Sequence, residues 1–413
     1  MLLRELAHRA SPTIGASTSQ VLSALSNVVV VVAVGRGSGA AGLGRYTLAF
    51  GAYVIVLGLS RALVSQPLLT LRGKLGAGDP SMTAAATATG WLGAAGGAVC
   101  TLVGIGLRRP ELVMVGLFMV PLCLQDLLRF AFFQTSRPWG ATLLDAVWLV
   151  VSLATFPIIA SRGSPVLATT LWGAGAMVAA VPGLLIMRVR ATRTVQAYRW
   201  WLSEARHLGI GLTLESIAYS LGSQASLWAI VAVLGDGDLG RLKAAQTVLG
   251  PATMVLSGFT MLAIPRMAQS AEGQSLRSAL GISRRALALV GAVSAAMVWM
   301  GPKVARILFG SDLSVNWSLL LPVAVQVAAT ALAVGPVTAL MVQRRGGTMA
   351  AVRAISAAIG VVAVAVACAP LGIVGAAWGF VLGSLLFTLG TAAVLPAHPT
   401  RSEGRGVHRP ASR

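Results

Sequence analysis

Negative charge is what this chain has least of. Its 413 residues include 12 Asp and Glu against 32 Lys and Arg, and no acid stands between Glu5 and Asp79. Charged residues of both signs make up 11% of the chain, against about 25% in a soluble globular domain. That is too few to cover the surfaces of water-soluble domains. Cysteine is almost missing too. Cys100, Cys123 and Cys368 form no CxxC and no even set, which excludes a disulfide framework and leaves small apolar fillers. The four histidines (His8, His207, His398, His408) fall outside or at the edge of the apolar blocks, so no metal cluster or Ser-His-Asp arrangement can be assembled within them. Metal, cofactor and catalysis are therefore not expected.

What the chain has in abundance is apolar runs. Hydrophobic residues make up 56% and the mean hydropathy is +0.80. The runs come in blocks of about 20 residues, the length that crosses a hydrocarbon core of about 30 Å. They fall at 14–34, 46–67, 82–107, 112–133, 139–160, 165–187, 208–234, 244–265, 286–302, 317–342, 348–369 and 371–396. The expectation is an all-α polytopic membrane protein with about twelve transmembrane helices. The first block is too long for a cleavable leader, carries Gln20 and Asn27, and runs straight into the second.

Lys and Arg placement sets the orientation. With the N-terminus inside, the cytoplasmic segments hold twenty basic residues and the opposite side nine, so both termini are expected in the cytoplasm of a bacterial cell membrane. The net charge of +20 is the excess this rule produces. It is spread over many short loops, which argues against nucleic acid and for anionic lipid headgroups as the partner.

One motif points elsewhere. GRGSGAAGLGR, Gly35 to Arg45, follows VVVVVAV and contains the spacing G-x-G-x-x-G at Gly37, Gly39 and Gly42, a dinucleotide fingerprint. That site needs an acid about 20 residues further on, and none is present before Asp79. The loop is read instead as a sharp turn between two antiparallel spans. It has a partner: Val32-Ala33-Val34 and Leu43-Gly44-Arg45 recur as Val231-Ala232-Val233 and Leu239-Gly240-Arg241 around a GDGD turn. Each copy joins the first and second span of a six-span half, which predicts a parallel duplication about an axis along the membrane normal. The domains are then an N-terminal lobe 1–187, a basic amphipathic linker 188–207, a C-terminal lobe 208–396 and a disordered tail 397–413. The linker, RVRATRTVQAYRWWLSEARH, reads as a helix at headgroup level that tethers the lobes or senses lipid.

Four stretches, SQVLSALSNVVVVVAVGRGSGAAGLGRYTLAF at 19–50, LQDLLRFAFFQTSRP at 124–138, WGATLLDAVW at 139–148 and LGIVGAAWG at 371–379, resemble the multidrug/oligosaccharidyl-lipid/polysaccharide exporter superfamily. The likeness is to its polysaccharide-transport, O-antigen-flippase-like branch. The resemblance implies two six-helix lobes in a V with a central cavity, and export of a lipid-linked oligosaccharide or polysaccharide precursor by alternating access. A cation-coupled drug exporter of the same superfamily, or a non-transporting membrane partner of glycan-synthesis proteins, is the alternative. A major-facilitator carrier does not fit, because the loop after the second span reads LLTLRGKLGAGDP and lacks its motif. A glycosyltransferase or polymerase does not fit either: the outer loops are short, and the longest, 303–316, holds one acid, Asp312.

Charges inside spans are functional candidates by default. There are six, three of each sign: Arg61, Arg129, Arg353, Asp126, Asp145 and Glu215. At 1.5 Å per residue, all lie about 6–10 Å from the cytoplasmic end of their spans. One reading pairs Asp126, Arg129, Asp145 and Arg353 as ion pairs that hold the bundle together. The other makes a polar cavity floor of Gln20, Arg61, Glu215, Gln224 and Gln246. In it Arg61 grips a diphosphate, Glu215 carries a coupling proton and the glutamines meet sugar hydroxyls.

Overall fold

The computed structural model describes residues 2–70, 78–135, 137–190, 194–269, 276–311, 313–343 and 345–395. The tail 397–413, Asp312 and the segment 71–77 lie outside them. Every regular element among the described residues is helical. The helices are α1 (Leu2–Ser60), α2 (Gln66–Thr70), α3 (Pro80–Gly106), α4 (Pro110–Gln134), α5 (Pro138–Arg162), α6 (Pro165–Ile186), α7 (Thr194–Trp200), α8 (Arg206–Leu234), α9 (Asp236–Val248), α10 (Gly250–Gln269), α11 (Leu276–Phe309), α12 (Trp317–Val342) and α13 (Gly346–Ala393). π-helical turns at Arg61–Ser65 and Trp201–Ala205 join α1 to α2 and α7 to α8.

Nine helices among the described residues are long and apolar enough to cross a membrane. Two of them fold back on themselves. α1 breaks at Gly39 (φ 62°, ψ −163°) and α13 at Gly372 (φ 60°, ψ −148°), so each contributes two spans. The short helices α9 and α10 follow one another at Leu249 and together supply one more. The result is a multi-pass membrane protein of twelve spans in two six-helix lobes.

Local sequence explains where the helices start and turn. Prolines open α3, α4, α5 and α6, where the missing N–H costs nothing and φ is preset. Asp79 caps α3 by accepting from Ser81 N at 2.8 Å, and Ser164 caps α6 by accepting from Leu167 N at 3.2 Å. Each odd-to-even pair of spans turns at a residue with positive φ: Gly39, Arg108, Gly163, Gly235, Gly310 and Gly372. All six turns lie at one end of the bundle, called here the glycine end. The opposite, far end carries the helix ends at Thr70, Gln269 and Leu276 and the turns at 78–79, 135, 187–190, 343 and 345.

The expected loops at the glycine end are shorter than the sequence suggested. The stretch 35–45 is helical on both sides of Gly39, and the GDGD turn shrinks to Gly235 (φ 86°) because Asp236 already begins α9. The eighth span thus starts at residue 236 rather than 244. Arg241 and Lys243, read as loop residues, stand on a helix.

The two lobes repeat the same packing. The first half of α1 lies on α5, with Gly37 against the Ile159 and Ala160 carbonyls, as α8 lies on the first half of α13, with Gly222 against Ala357. α3 packs on α4 as α11 packs on α12. The duplicated Leu-Gly-Arg motifs meet at the pseudo-two-fold axis: Gly44 abuts the carbonyl of Asp236, and Gly240 abuts the carbonyl of Ala40. One shift of 196 residues (240 − 44, 236 − 40) carries either contact onto the other. A β-carbon at either glycine would collide with backbone, so the close approach requires glycine.

Core composition shows where the lobes join. At the glycine end one buried cluster takes residues from both lobes, among them Val30, Leu43, Leu239, Leu242, Ala305 and Phe309. Toward the far end the clusters separate. One holds only N-lobe and linker residues such as Leu68, Phe132 and Trp200, and two hold only C-lobe residues such as Ala286 and Leu340. The lobes are knit at the glycine end and have separate cores beyond it.

Linker helix α7 does not lie free at headgroup level along its whole face. Trp200 is buried in the N-lobe core, and the Trp201 indole N–H donates to Leu63 O at 3.1 Å, in the π turn that follows α1. Tyr198 and Arg199 remain exposed.

Candidate translocation cavity

Between the lobes lie two adjoining cavities of about 360 and 480 Å³, which share Phe50, Tyr219, Lys243, Gln246 and Gln326. Helical periodicity builds their walls. Residues 47, 50, 51 and 54 of α1, 219, 222, 223 and 226 of α8, 243, 246, 247 and 250 of α9–α10, 323, 326, 327 and 330 of α12, and 353, 356, 357 and 360 of α13 all face inward. Each is an i, i+3, i+4, i+7 stripe, one face of a helix. The C-lobe stripes carry most of the polar groups, whereas the N-lobe gives Phe50, Gly51 and Val54 beside Thr47, and a second stripe of Ala24, Asn27, Val28 and Val31. Phe50 rests on an aromatic cluster, 5.6 Å from Trp172 and 5.7 Å from Tyr53.

Among the described residues, two cations line this space and no acid does. Lys243 sends its ammonium over the Phe50 ring, 5.3 Å from the centroid. No carboxylate among the described residues forms an ion pair with it. Arg353 donates through Nε to Glu215 Oε1 at 3.2 Å, and its guanidinium stacks 3.2 Å over the Phe387 ring and 5.2 Å from that of Tyr219. The contact to Glu215 is a single one.

Arg61 is held differently. Its Nε and Nη2 donate to the two oxygens of Asp126 at 2.8 and 2.6 Å, a closed fork. Arg129 lies 3.6 Å from Asp126 and 3.0 Å from Asp145 Oδ2, though its Nε is poorly aligned for a hydrogen bond to that oxygen. Asp145 also accepts from Ser19 Oγ at 2.5 Å and from Gln125 Nε2 at 3.2 Å. Two arginines and two aspartates thus form one neutral network that ties together the first, second, fourth and fifth spans.

The sequence candidates therefore divide into two groups. Gln224 and Gln246 line the cavity, and Arg353 joins them. Glu215 stands behind Arg353. Arg61, Asp126, Arg129 and Asp145 form the N-lobe network, outside the cavity lining. Gln20 is exposed beside Ser19 of that network and also lies outside the lining. Sequence reading missed Lys243 and Gln326. The signal for Lys243 was present as Lys243-Gln246-Thr247-Gly250, a helical stripe hidden by assigning its first residue to a loop.

A second set of inter-lobe contacts closes the glycine end. Asp236 of the C-lobe accepts from Arg109 at 2.8 Å and Arg45 at 3.4 Å, both in the N-lobe. Arg36 donates to the Leu308 and Ile307 carbonyls at the end of α11, at 2.7 and 2.6 Å.

No protein-family model matches this chain, and no curated protein matches its sequence. Solved structures do match its fold. An inward-facing multidrug resistance MATE family transporter of the MOP superfamily superposes with a TM-score of 0.64 at 13% identity, covering 90% of this chain and 92% of its own. The lipid II flippase MurJ in an inward closed conformation gives 0.62 at 12% identity, over 92% and 86%. A MOP superfamily transporter from Pyrococcus furiosus, described by the reverse polarity of its binding pocket, gives 0.60 at 14% identity, over 92% of both chains.

Proposed function

We propose that this chain, which has the fold of MOP superfamily transporters, is a flippase or exporter that carries a lipid-linked oligosaccharide or polysaccharide precursor across a bacterial cell membrane. The observation that carries this reading is the charge of the cavity: among the described residues Lys243, which has no carboxylate partner, and Arg353, backed by Glu215, line it and no acid does. A basic, partly dehydrated cavity attracts phosphate and repels an organic cation. That favours an anionic headgroup over the drug exported by a cation-coupled relative. The lipid II flippase among the fold neighbours supports a lipid-linked substrate.

Alternating access follows from the packing. The lobes share a core at the glycine end and have separate cores toward the far end. With the far end in the cytoplasm, as the basic residues of 188–207 favour, the cavity receives a headgroup from the inner leaflet. Opening at the other side requires Asp236 to release Arg45 and Arg109. Arg353 is the guanidinium available to phosphate, since one contact to Glu215 holds it where two hold Arg61 to Asp126.

The test is flipping by purified protein in liposomes, with a short lipid-diphosphate-linked sugar and, separately, an organic cation dye. Transport of the first that falls in Lys243→Ala and Arg353→Ala is the expected result. Transport of the dye alone would establish the exporter reading instead. Failure of both, in folded protein, would leave a non-transporting partner.

A further inference from the structure

Gln224 is 6% exposed, and its side-chain oxygen is buried without a hydrogen-bond partner among the described residues. It lies against α1 at Gly51, where a β-carbon would strike its carboxamide. A buried carbonyl left unpaired is costly, so an amide kept there calls for a donor that the described residues do not supply. Gln224 is also one of the residues that line the cavity. Gln246 and Gln326 reach the same space from two other helices, and Ser223 and Ser384 add hydroxyls.

A carboxamide offers two donors and an acceptor with two lone pairs. Three of them around one space complement a ligand whose groups both donate and accept, which is the character of a sugar hydroxyl. Lys243 stands one turn from Gln246 on the same face of α9, and Arg353 lines the same cavity from α13. The two cavities, about 360 and 480 Å³, are the size that encloses a drug-sized ligand, not a long glycan.

We infer that the cavity reads a sugar phosphate as a unit: Lys243 and Arg353 take the phosphate, and Gln224, Gln246 and Gln326 take the hydroxyls of the sugar bonded directly to it. Sugars further along the glycan are not read. This rests on the flippase reading and narrows it to substrates defined by their phosphate-proximal sugar.

Titration calorimetry on the purified full-length protein, with glucose 1-phosphate, N-acetylglucosamine 1-phosphate, inorganic phosphate and glucose as probes, tests it. At least one sugar phosphate is expected to bind ten-fold or more tighter than inorganic phosphate. Gln224→Ala and Gln246→Ala, made separately so that a folding defect in one does not decide the matter, should each erase most of that advantage without changing phosphate affinity. Lys243→Ala should weaken every anionic probe. Equal affinity for phosphate and both sugar phosphates would overturn the sugar inference while leaving the anionic cavity intact. Binding of no anion at all would remove the anionic reading with it.

Discussion

Arg61 and Arg353 show how two like side chains in one bilayer come to different uses. Arg61 has both faces of its fork on Asp126, a carboxylate whose side chain is 3% exposed. Removing it strands that charge. Breaking a fully buried pair costs about 3–5 kcal/mol, and because the Arg61 side chain is 37% exposed solvent screening reduces this to about 1–3 kcal/mol. Arg61→Ala should therefore lower the thermal unfolding midpoint in detergent, and Arg61→Lys should recover part of the loss. A normal midpoint with lost transport would instead put Arg61 at the substrate. Lys243 carries the opposite expectation. A charge-assisted hydrogen bond is worth about 1.5–3 kcal/mol, so Lys243→Ala should weaken an anionic substrate about ten- to hundred-fold with an unchanged midpoint, read as KM in the flipping assay. At Glu215 the contact to Arg353 is solitary. If Glu215 carries a proton during transport, Glu215→Gln abolishes the pH dependence of flipping in well-folded protein; an unchanged pH profile reduces Glu215 to a clamp on Arg353.

At the scale of elements, most of the helices were legible in hydropathy and proline placement, and the misjudged pieces have a common cause. Hydropathy averaged over a window treats Gly-Asp-Gly-Asp-Leu-Gly-Arg-Leu-Lys as polar and exposed. In the fold, Asp236 is paired with two arginines of the other lobe and Asp238 with Arg241 at 3.1 Å, so the segment can enter a helix. The same inference failed at 35–45, where a single glycine makes the turn. Linker residue Trp201 was legible as aromatic but not as docked, because its partner is a backbone carbonyl 138 residues away. The repeat, by contrast, was readable from the recurring Val-Ala-Val and Leu-Gly-Arg segments, and its glycines make reciprocal contacts. Gly44→Val and Gly240→Val should consequently do similar damage, loosening the glycine end so that a cysteine placed in the cavity reacts with an impermeant thiol reagent from that side. Gly106→Val, which meets nothing within 4 Å, is the control and should be silent.

For the whole molecule, direction is a matter of charge and potential. Each charge crossing 100 mV changes the free energy by about 2.3 kcal/mol, so a lipid diphosphate with about two negative charges gains about 4.6 kcal/mol on moving outward from an inside-negative cell. A chain with 12 acidic residues in all then needs no dense set of ion-coupling carboxylates. Flipping in liposomes should accelerate when a potassium gradient with valinomycin sets the substrate side negative, and slow when the polarity is reversed. Indifference to the potential would require a coupling ion. The orientation itself is checked by cysteine labelling: residues 188–190 should react from the cytoplasm and residue 237 from outside.

The six tight turns at the glycine end also bear on how the chain enters its membrane. An unsatisfied peptide group in hydrocarbon costs several kcal/mol, whereas a helix satisfies its own. Two spans joined at one left-handed residue, as at Gly39, Gly235 and Gly372, have almost no open backbone at their tip. With the far end kept in the cytoplasm, the longer and more basic connections never have to be translocated. Biosynthesis can then proceed by pushing successive helical hairpins into the bilayer tip first, three for each lobe, before the lobes meet at Gly44 and Gly240.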